Sequence, residues 1–247
     1  MNIRQYLDST YLKTAAQAGL SEADNTIVVK NCIQEAIDEK FKVIMIRPDH
    51  VVLAKQMIVS AGSGVQIGTV IDFSEGKSIL EDKLSEAVLA IENGVDELDF
   101  VCNYEAFKAG DTELVKNEVV QGTKLGLEHG KVVKWIIEVA ALNDKQIIQM
   151  ASLIKNCIIS NFEESQYCSV FVKSSTGFYK TEDGLPNGAT VPTIIMMLEN
   201  ASPLPIKAAG GVRTYAEAKE MIRLGVKRIG TSGAKAIANG AITESEY

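Results

Sequence analysis

Histidine is almost missing from this chain: His50 and His129 are the two in 247 residues, both in polar, helix-like settings. A zinc centre or a serine–histidine triad is therefore poorly supplied. The four cysteines, Cys32, Cys102, Cys157 and Cys168, are scattered and show no C-x-x-C spacing, which reads as buried reduced thiols. No stretch approaches the roughly 18 uninterrupted apolar residues of a membrane span. Residues 1–8 lack the apolar centre of a signal peptide. Lysine- and arginine-rich blocks are absent, and a net charge of −7 leaves no basic footprint for nucleic acid. The expectation is a cytoplasmic protein that binds neither nucleic acid nor membrane, and whose chemistry runs on lysine and carboxylate.

What is present is ordinary globular material, 46% hydrophobic and 23% charged. Apolar β-type runs recur near 42–46, 66–71, 97–101, 132–139, 169–173, 206–208 and 227–230, with a short one around 7–10. Several are almost continuously apolar, as strands covered on both faces must be. Helical patterns with start signals lie between them: Ser21-Glu22-Ala23-Asp24, Thr112-Glu113, Asn143-Asp144, and Thr214 opening a helix that stops at Gly225. Strand starts fall about 25 to 35 residues apart, the length of a βα unit. No linker or low-complexity tract divides them. The reading is α/β: one (β/α)8 TIM barrel over residues 1–247, with a short N-terminal helix and a polar tail from about 240. An open doubly wound sheet is the alternative.

Two lysines stand out within this frame. Lys173 sits in Val-Phe-Val-Lys-Ser-Ser-Thr-Gly at 170–177, and Lys207 in Pro-Ile-Lys-Ala-Ala-Gly-Gly at 205–211. Burial disfavours an ammonium, and a lysine that sheds its proton is a nucleophile toward carbonyls. Lowering a lysine pKa from about 10.4 to 7 takes roughly 4 kcal/mol, within reach of partial burial plus one nearby cation. The two lie 34 residues apart, one βα step, which places them on neighbouring strands at the barrel mouth. Two lysine stems reaching out to solvent are the plainer alternative.

Asp99, inside the apolar run at 97–101, needs a cationic partner and is a candidate acid/base. Lys134 and Glu138, on the presumed fifth strand, either touch the site or serve the core. Asp8, ahead of Ser9 and Thr10, binds a substrate hydroxyl or caps a turn. Gly210 and Gly211, Gly230 with Ser232, and Gly177 form glycine-bearing turns of the kind that present backbone N–H groups to an anion. In barrels, a phosphate often rests on the loops after the seventh and eighth strands. The irregular stretch 178–189, following Lys173, is long enough to suggest a working loop. The terminal Tyr247 either frays or folds over the mouth to offer its hydroxyl. The residues alone thus reach lysine-based carbonyl chemistry on a phosphorylated substrate.

Lys-Ser-Ser-Thr-Gly-Phe at 173–178, Lys-Ala-Ala-Gly-Gly-Val-Arg-Thr at 207–214 and Glu-Leu-Asp-Phe-Val at 97–101 resemble the signatures of the deoxyribose-phosphate aldolase family. The segments at 6–10, 44–48, 68–73 and 229–232 are similar to it as well, so the likeness spans nearly the whole chain. The resemblance implies a class I aldolase on a (β/α)8 barrel, with no metal or organic cofactor. Its substrates would be a phosphorylated sugar and aldehydes: 2-deoxy-D-ribose 5-phosphate, cleaved reversibly to D-glyceraldehyde 3-phosphate and acetaldehyde. It implies Lys173 as the Schiff-base lysine, Lys207 as the cation that depresses its pKa, and Asp99 as the proton relay. Asp8 would bind a substrate hydroxyl, and Gly177, Gly210, Gly211, Gly230 and Ser232 the phosphate. A homodimer is the implied assembly, and deoxyribonucleotide catabolism the implied setting. Another lysine-dependent sugar-phosphate aldolase, a non-catalytic phosphosugar-binding barrel and a metal-dependent isomerase remain alternatives.

Overall fold

Eight parallel strands close on themselves in sequence order, each paired with its chain neighbours and the last with the first. They are β1 (Leu7–Thr10), β2 (Val43–Ile46), β3 (Gln66–Ile71), β4 (Glu97–Val101), β5 (Val132–Ile136), β6 (Val170–Lys173), β7 (Ile206–Ala209) and β8 (Arg228–Thr231). The computed structural model describes residues 2–182 and 185–240. Between the strands run α1 (Ala15–Ala18), α2 (Glu22–Glu39), α3 (Val51–Ser60), α4 (Leu80–Glu92), α5 (Tyr104–Lys108) and α6 (Thr112–Glu128). The ring is completed by α7 (Asp144–Asn161), α8 (Val191–Ala201), α9 (Tyr215–Leu224) and α10 (Ala234–Ala238), and a 3-10 turn at Ile3–Tyr6 precedes β1. The open-sheet alternative is therefore replaced by a closed (β/α)8 barrel.

The helix starts fall where expected, although α6 is capped one residue ahead of Thr112, by Asp111, which accepts from the Leu114 N–H at 3.1 Å. Ser21 caps α2 by accepting from the Asp24 N–H at 3.1 Å, and its hydroxyl donates to the Asp24 carboxylate. Asn143 with Gln146, and Thr214 with Glu217, form reciprocal capping boxes, each satisfying two orphan N–H groups. Gly225 ends α9 in the left-handed conformation, at φ 118°. One strand differs from expectation. The fifth ends at Ile136, not Val139, because Glu138 adopts φ 51° and turns the chain into the 3-10 helix Val139–Ala141.

Two hydrophobic clusters form, one on each side of the barrel wall. The larger lies between strands and helices, where Trp135 stacks on Phe100 at 4.8 Å and donates its indole N–H to Thr123 of α6 at 2.9 Å. The smaller lines one side of the lumen: Leu12, Val43, Met45 and Val70, with Phe73 and Phe178 packed against it. Register sets Val43 beside Asp8, and Val70 beside Asp99, so this apolar wall abuts a polar one.

Helix α6 approaches β5 closely because it carries glycine where a side chain would collide. A Cβ on Gly126 would lie 2.3 Å from Cγ2 of the fully buried, β-branched Val133. Gly126→Ala gains about 1 kcal/mol of helix propensity but overpacks a stiff neighbour at a cost of about 1–3 kcal/mol. Urea unfolding should show a net loss of stability. An increase would mean that the helix–strand contact has slack.

Candidate active site

Charged side chains from β1, β4, β5, β6, β7 and β8 converge inside the barrel. Lys173 and Lys207 stand side by side in register on β6 and β7, and each places its Nζ 2.9 Å from the same atom, Asp99 Oδ2. Lys134 bonds the other Asp99 oxygen at 2.5 Å and Glu97 at 2.6 Å. Lys207 also meets Asp8 Oδ2 at 2.6 Å. Arg228 joins the ends of this lattice, donating Nε to Asp8 at 2.7 Å and Nη2 to Glu97 at 2.9 Å. All seven groups are buried; Lys173, at 3% exposure, is the lysine nearest the opening.

The charge count decides the chemistry. Among the described residues, this lattice brings four cations, Lys134, Lys173, Lys207 and Arg228, against three carboxylates, Asp8, Glu97 and Asp99. Fully ionised, it carries one surplus positive charge out of water, and the cheapest relief is loss of one proton. Lys173 is the member placed to lose it. Burial lowers its pKa, the contact with Asp99 pulls it back up, and Lys207 and Lys134 push it down again, leaving it at about 8. That shift from 10.5 corresponds to roughly 3 kcal/mol. Lys134 moves the other way. Burial works against its charge, but Asp99 and Glu97 outweigh that and hold its pKa above the ordinary value. Burial likewise opposes charge on Asp99, yet Lys134, Lys173 and Lys207 keep its carboxyl well below the usual range. Asp8 is lowered too, by Arg228 and Lys207 acting against burial.

Asp99, Lys134 and Lys207 each sit between two buried apolar residues, so the alternation of β-structure turns these charged side chains inward. Gly230 on β8 serves by being small: a Cβ there would sit 3.1 Å from Lys207 Cε. Sequence reasoning missed Glu97 and Arg228. A residue-type signal existed, a carboxylate and a guanidinium inside or at the edge of strands, but the partner lies 131 residues away. Asp8 is found in ion pairs with Lys207 and Arg228. Lys134 is fully in the cluster. Tyr247 lies outside the described residues.

The glycine turns lie at the same end of the barrel. Gly177, Gly210 and Gly211 all have positive φ, 83°, 80° and 87°, a conformation that exposes backbone N–H groups. The loop after β6 folds onto the turn after β7. Ala189 donates its N–H to Gly210 at 2.8 Å, and Gly188 sits so close that an added Cβ would lie 2.5 Å from Gly210 backbone. Between them is a cavity of about 330 Å³ whose lining includes Asn187, Gly188, Thr190, Gly210, Gly211 and Arg213. The start of α9 is not free for an anion, because Glu217 already accepts from the Arg213 and Thr214 N–H groups. Ser232 is exposed near α10 and lines a separate shallow cavity with Glu35 and Lys235. Across the mouth, Phe178 packs edge-on against Phe73 at 5.1 Å, and Arg47 lies over the Phe73 ring.

Among the described residues, no group of histidine, cysteine, aspartate and glutamate side chains is arranged to hold a metal ion, and no helix is long and apolar enough to cross a membrane. The profile described as DeoC/LacD family aldolase matches residues 10–243. The chain is 37% identical over 243 residues to a deoxyribose-phosphate aldolase of Thermococcus kodakarensis, covering 98% of each protein. It is 32% identical to that of Streptococcus gordonii over the full length of both. Among solved structures, a tetrameric deoxyribose phosphate aldolase from Aeropyrum pernix superposes with a TM-score of 0.75 at 30% identity, over 96% of this chain and 89% of the other. The chain belongs to the DeoC/LacD aldolase family.

The lattice makes opposite demands on its lysines. Lys134→Met strips both Asp99 and Glu97 of their shortest partner and should cost about 3–5 kcal/mol, the usual penalty for breaking a buried ion pair. Lys173→Met removes the surplus charge while Asp99 keeps two lysines, and should cost about 1 kcal/mol or less. Denaturant unfolding at pH 7 compares them; equal losses would mean that the charge count does not govern the site.

Proposed function

We propose that this DeoC/LacD-family aldolase reversibly cleaves 2-deoxy-D-ribose 5-phosphate to D-glyceraldehyde 3-phosphate and acetaldehyde through an imine on Lys173. The observation that carries the reading is the placement of the buried Lys173 amine, 2.9 Å from the Asp99 oxygen it shares with Lys207, where burial and the neighbouring cations lower its pKa. The names of the relatives support the substrate. At pH 7 a pKa of about 8 leaves about a tenth of the amine neutral, against a few ten-thousandths for an ordinary lysine, a gain of about 300-fold in nucleophile.

The neutral amine attacks the C1 aldehyde of the open-chain sugar, and the carbinolamine loses water to give a protonated imine. That imine draws the C2–C3 bonding electrons as the C3 hydroxyl gives up its proton, so the bond breaks to the C3 aldehyde and an enamine on C2. Protonation at C2 and hydrolysis release acetaldehyde and restore Lys173. Asp99 Oδ2, in contact with both lysine nitrogens, is the base within reach, directly or through one water, and Lys207 supplies the acid. Asp8 orients Lys207 and stands on the first strand, where a substrate hydroxyl would pass. The phosphate rests on the backbone of Gly177, Gly210 and Gly211, with Gly230 on the neighbouring strand, while the exposed Ser232, beside Glu35 and Lys235, stands apart from that cavity. The cavity lined by Gly210, Gly211 and Arg213 supports that placement. No metal or organic cofactor takes part in this scheme. Self-association belongs to the same reading, as a homodimer; the tetrameric relative supports assembly in general. So does action in the cytoplasm, in deoxyribonucleotide breakdown.

Borohydride reduction in the presence of acetaldehyde, followed by peptide mass spectrometry, tests the chemistry. The expected result is an ethyl adduct on Lys173 and none on Lys207. Because the folded pKa lies below the ordinary one, the neutral fraction rises with pH through about 8 and then levels off, and the initial trapping rate should follow it. An adduct on another lysine would overturn the assignment to Lys173, and no adduct would favour a binding barrel.

A further inference from the structure

Immediately after Lys173 the chain is held from both sides. On the β7 side, the Ser174 hydroxyl donates to the Ala209 carbonyl at 2.8 Å and accepts from the Ala209 N–H at 2.9 Å. On the β5 side, backbone bonds reach only as far as Ser174, and the side-chain tie to the turn beyond it is the Glu138 carboxylate. Glu138 Oε2 accepts from the Thr176 N–H at 3.1 Å and from the Thr176 hydroxyl. Thr176 Oγ1 in turn accepts from the Phe178 N–H at 3.0 Å. Glu138 is buried and holds a left-handed backbone conformation, φ 51°, that a residue with a side chain adopts only at a cost of about 1–3 kcal/mol. Its other oxygen, Oε1, and the neighbouring Ser175 hydroxyl are buried without a well-formed hydrogen bond. A buried acid, strained in backbone and incompletely satisfied, is poor construction for stability alone.

We infer that Glu138 is a positioning residue: by gripping Thr176 it fixes the Ser174–Gly177 turn, and so aims the Lys173 amine into the barrel mouth. The backbone bonds from Ile137 N–H to Lys173 O and from Val139 N–H to Ser174 O, both 3.0 Å, flank Glu138 and carry the β5–β6 ladder to this grip. Burial raises the Glu138 pKa, while Thr176 and the Lys173 charge restrain the rise. The Tyr104 phenol also feels the Glu138 charge. Aim matters because a displacement of about 1 Å can cost a factor of about 100 in rate.

This inference rests on Lys173 being the imine-forming residue, and the experiment separates the two. Wild type, Glu138→Ala, Glu138→Gln and Thr176→Val are compared in borohydride trapping at Lys173, in kcat and KM, and in thermal unfolding. Glu138→Gln keeps an oxygen acceptor for Thr176 and should retain trapping and kcat within about threefold. Glu138→Ala should lower both about 100-fold with KM changed much less, and Thr176→Val, which leaves the N–H tie, should fall between. If Glu138→Ala does not fold, the contrast between Thr176→Val and Glu138→Gln carries the test. Trapping and kcat unchanged in folded Glu138→Ala, or in Thr176→Val where the alanine variant fails, would overturn the inference. So would a loss in Glu138→Gln as deep as that in Glu138→Ala. Failure of wild type itself to trap at Lys173 would instead overturn the underlying function, and this inference with it.

Discussion

One imbalance organises the barrel lumen: among the described residues, its ion-paired lattice sets four buried cations against three carboxylates. In water such a surplus is trivial. Enclosed by strands, it is felt as several kcal/mol, because two unit charges about 4 Å apart interact by about 4 kcal/mol at an effective dielectric near 20. The surplus is not spread evenly. Arg228 cannot release a proton, and its pKa is held above the ordinary value by Asp8 and Glu97 despite burial. Lys134 lies between two carboxylates. Lys173 has one carboxylate oxygen, which it shares with Lys207, and it stands nearest the opening. The group with the weakest claim on its proton is thus also the one a carbonyl compound can reach.

The rest of the lumen follows from that arrangement. Charges crowd β4 to β8 and β1, while β2 and β3 face inward with Val43, Met45 and Val70. Gly68 leaves space for Met45, whose sulfur lies where a Cβ would go. An apolar wall lowers the dielectric on one side of the lysines and presents a surface to the carbon skeleton of a substrate. The glycine turns after β6 and β7 lie at the same end of the barrel, around the cavity lined by Gly210, Gly211 and Arg213. Closure of the sheet is what permits this: an open sheet has no interior in which six strands could meet.

Much of this was legible in the sequence, for a simple reason. Strands covered on both faces read as apolar runs, and any charge inside such a run is conspicuous, so Lys173, Lys207, Asp99 and Lys134 announced themselves. What stayed hidden was pairing. In sequence Asp8 reads as a hydroxyl ligand or a turn cap, and its ion pairs to Lys207 and Arg228 depend on closure between the first and last strands. Arg228 follows Lys227 at the start of its run, where a charged pair reads as solvent-facing. The early end of β5 was invisible because left-handed backbone at a glutamate has no residue-type signal of the kind glycine provides. Ser232 fell in a plausible motif, but its placement beside Glu35 and Lys235 depends on how the chain leaves β8.

The central claim concerns one proton, and it can be observed directly. Selective labelling of lysine at Cε, with assignment by Lys173→Met, allows the Lys173 resonance to be followed by NMR as pH is raised in the unliganded protein. The account predicts a midpoint close to 8 for Lys173, with Lys134 still charged well above it. A Lys173 midpoint at or above the ordinary value of 10.5 would contradict it, whatever activity the protein displays.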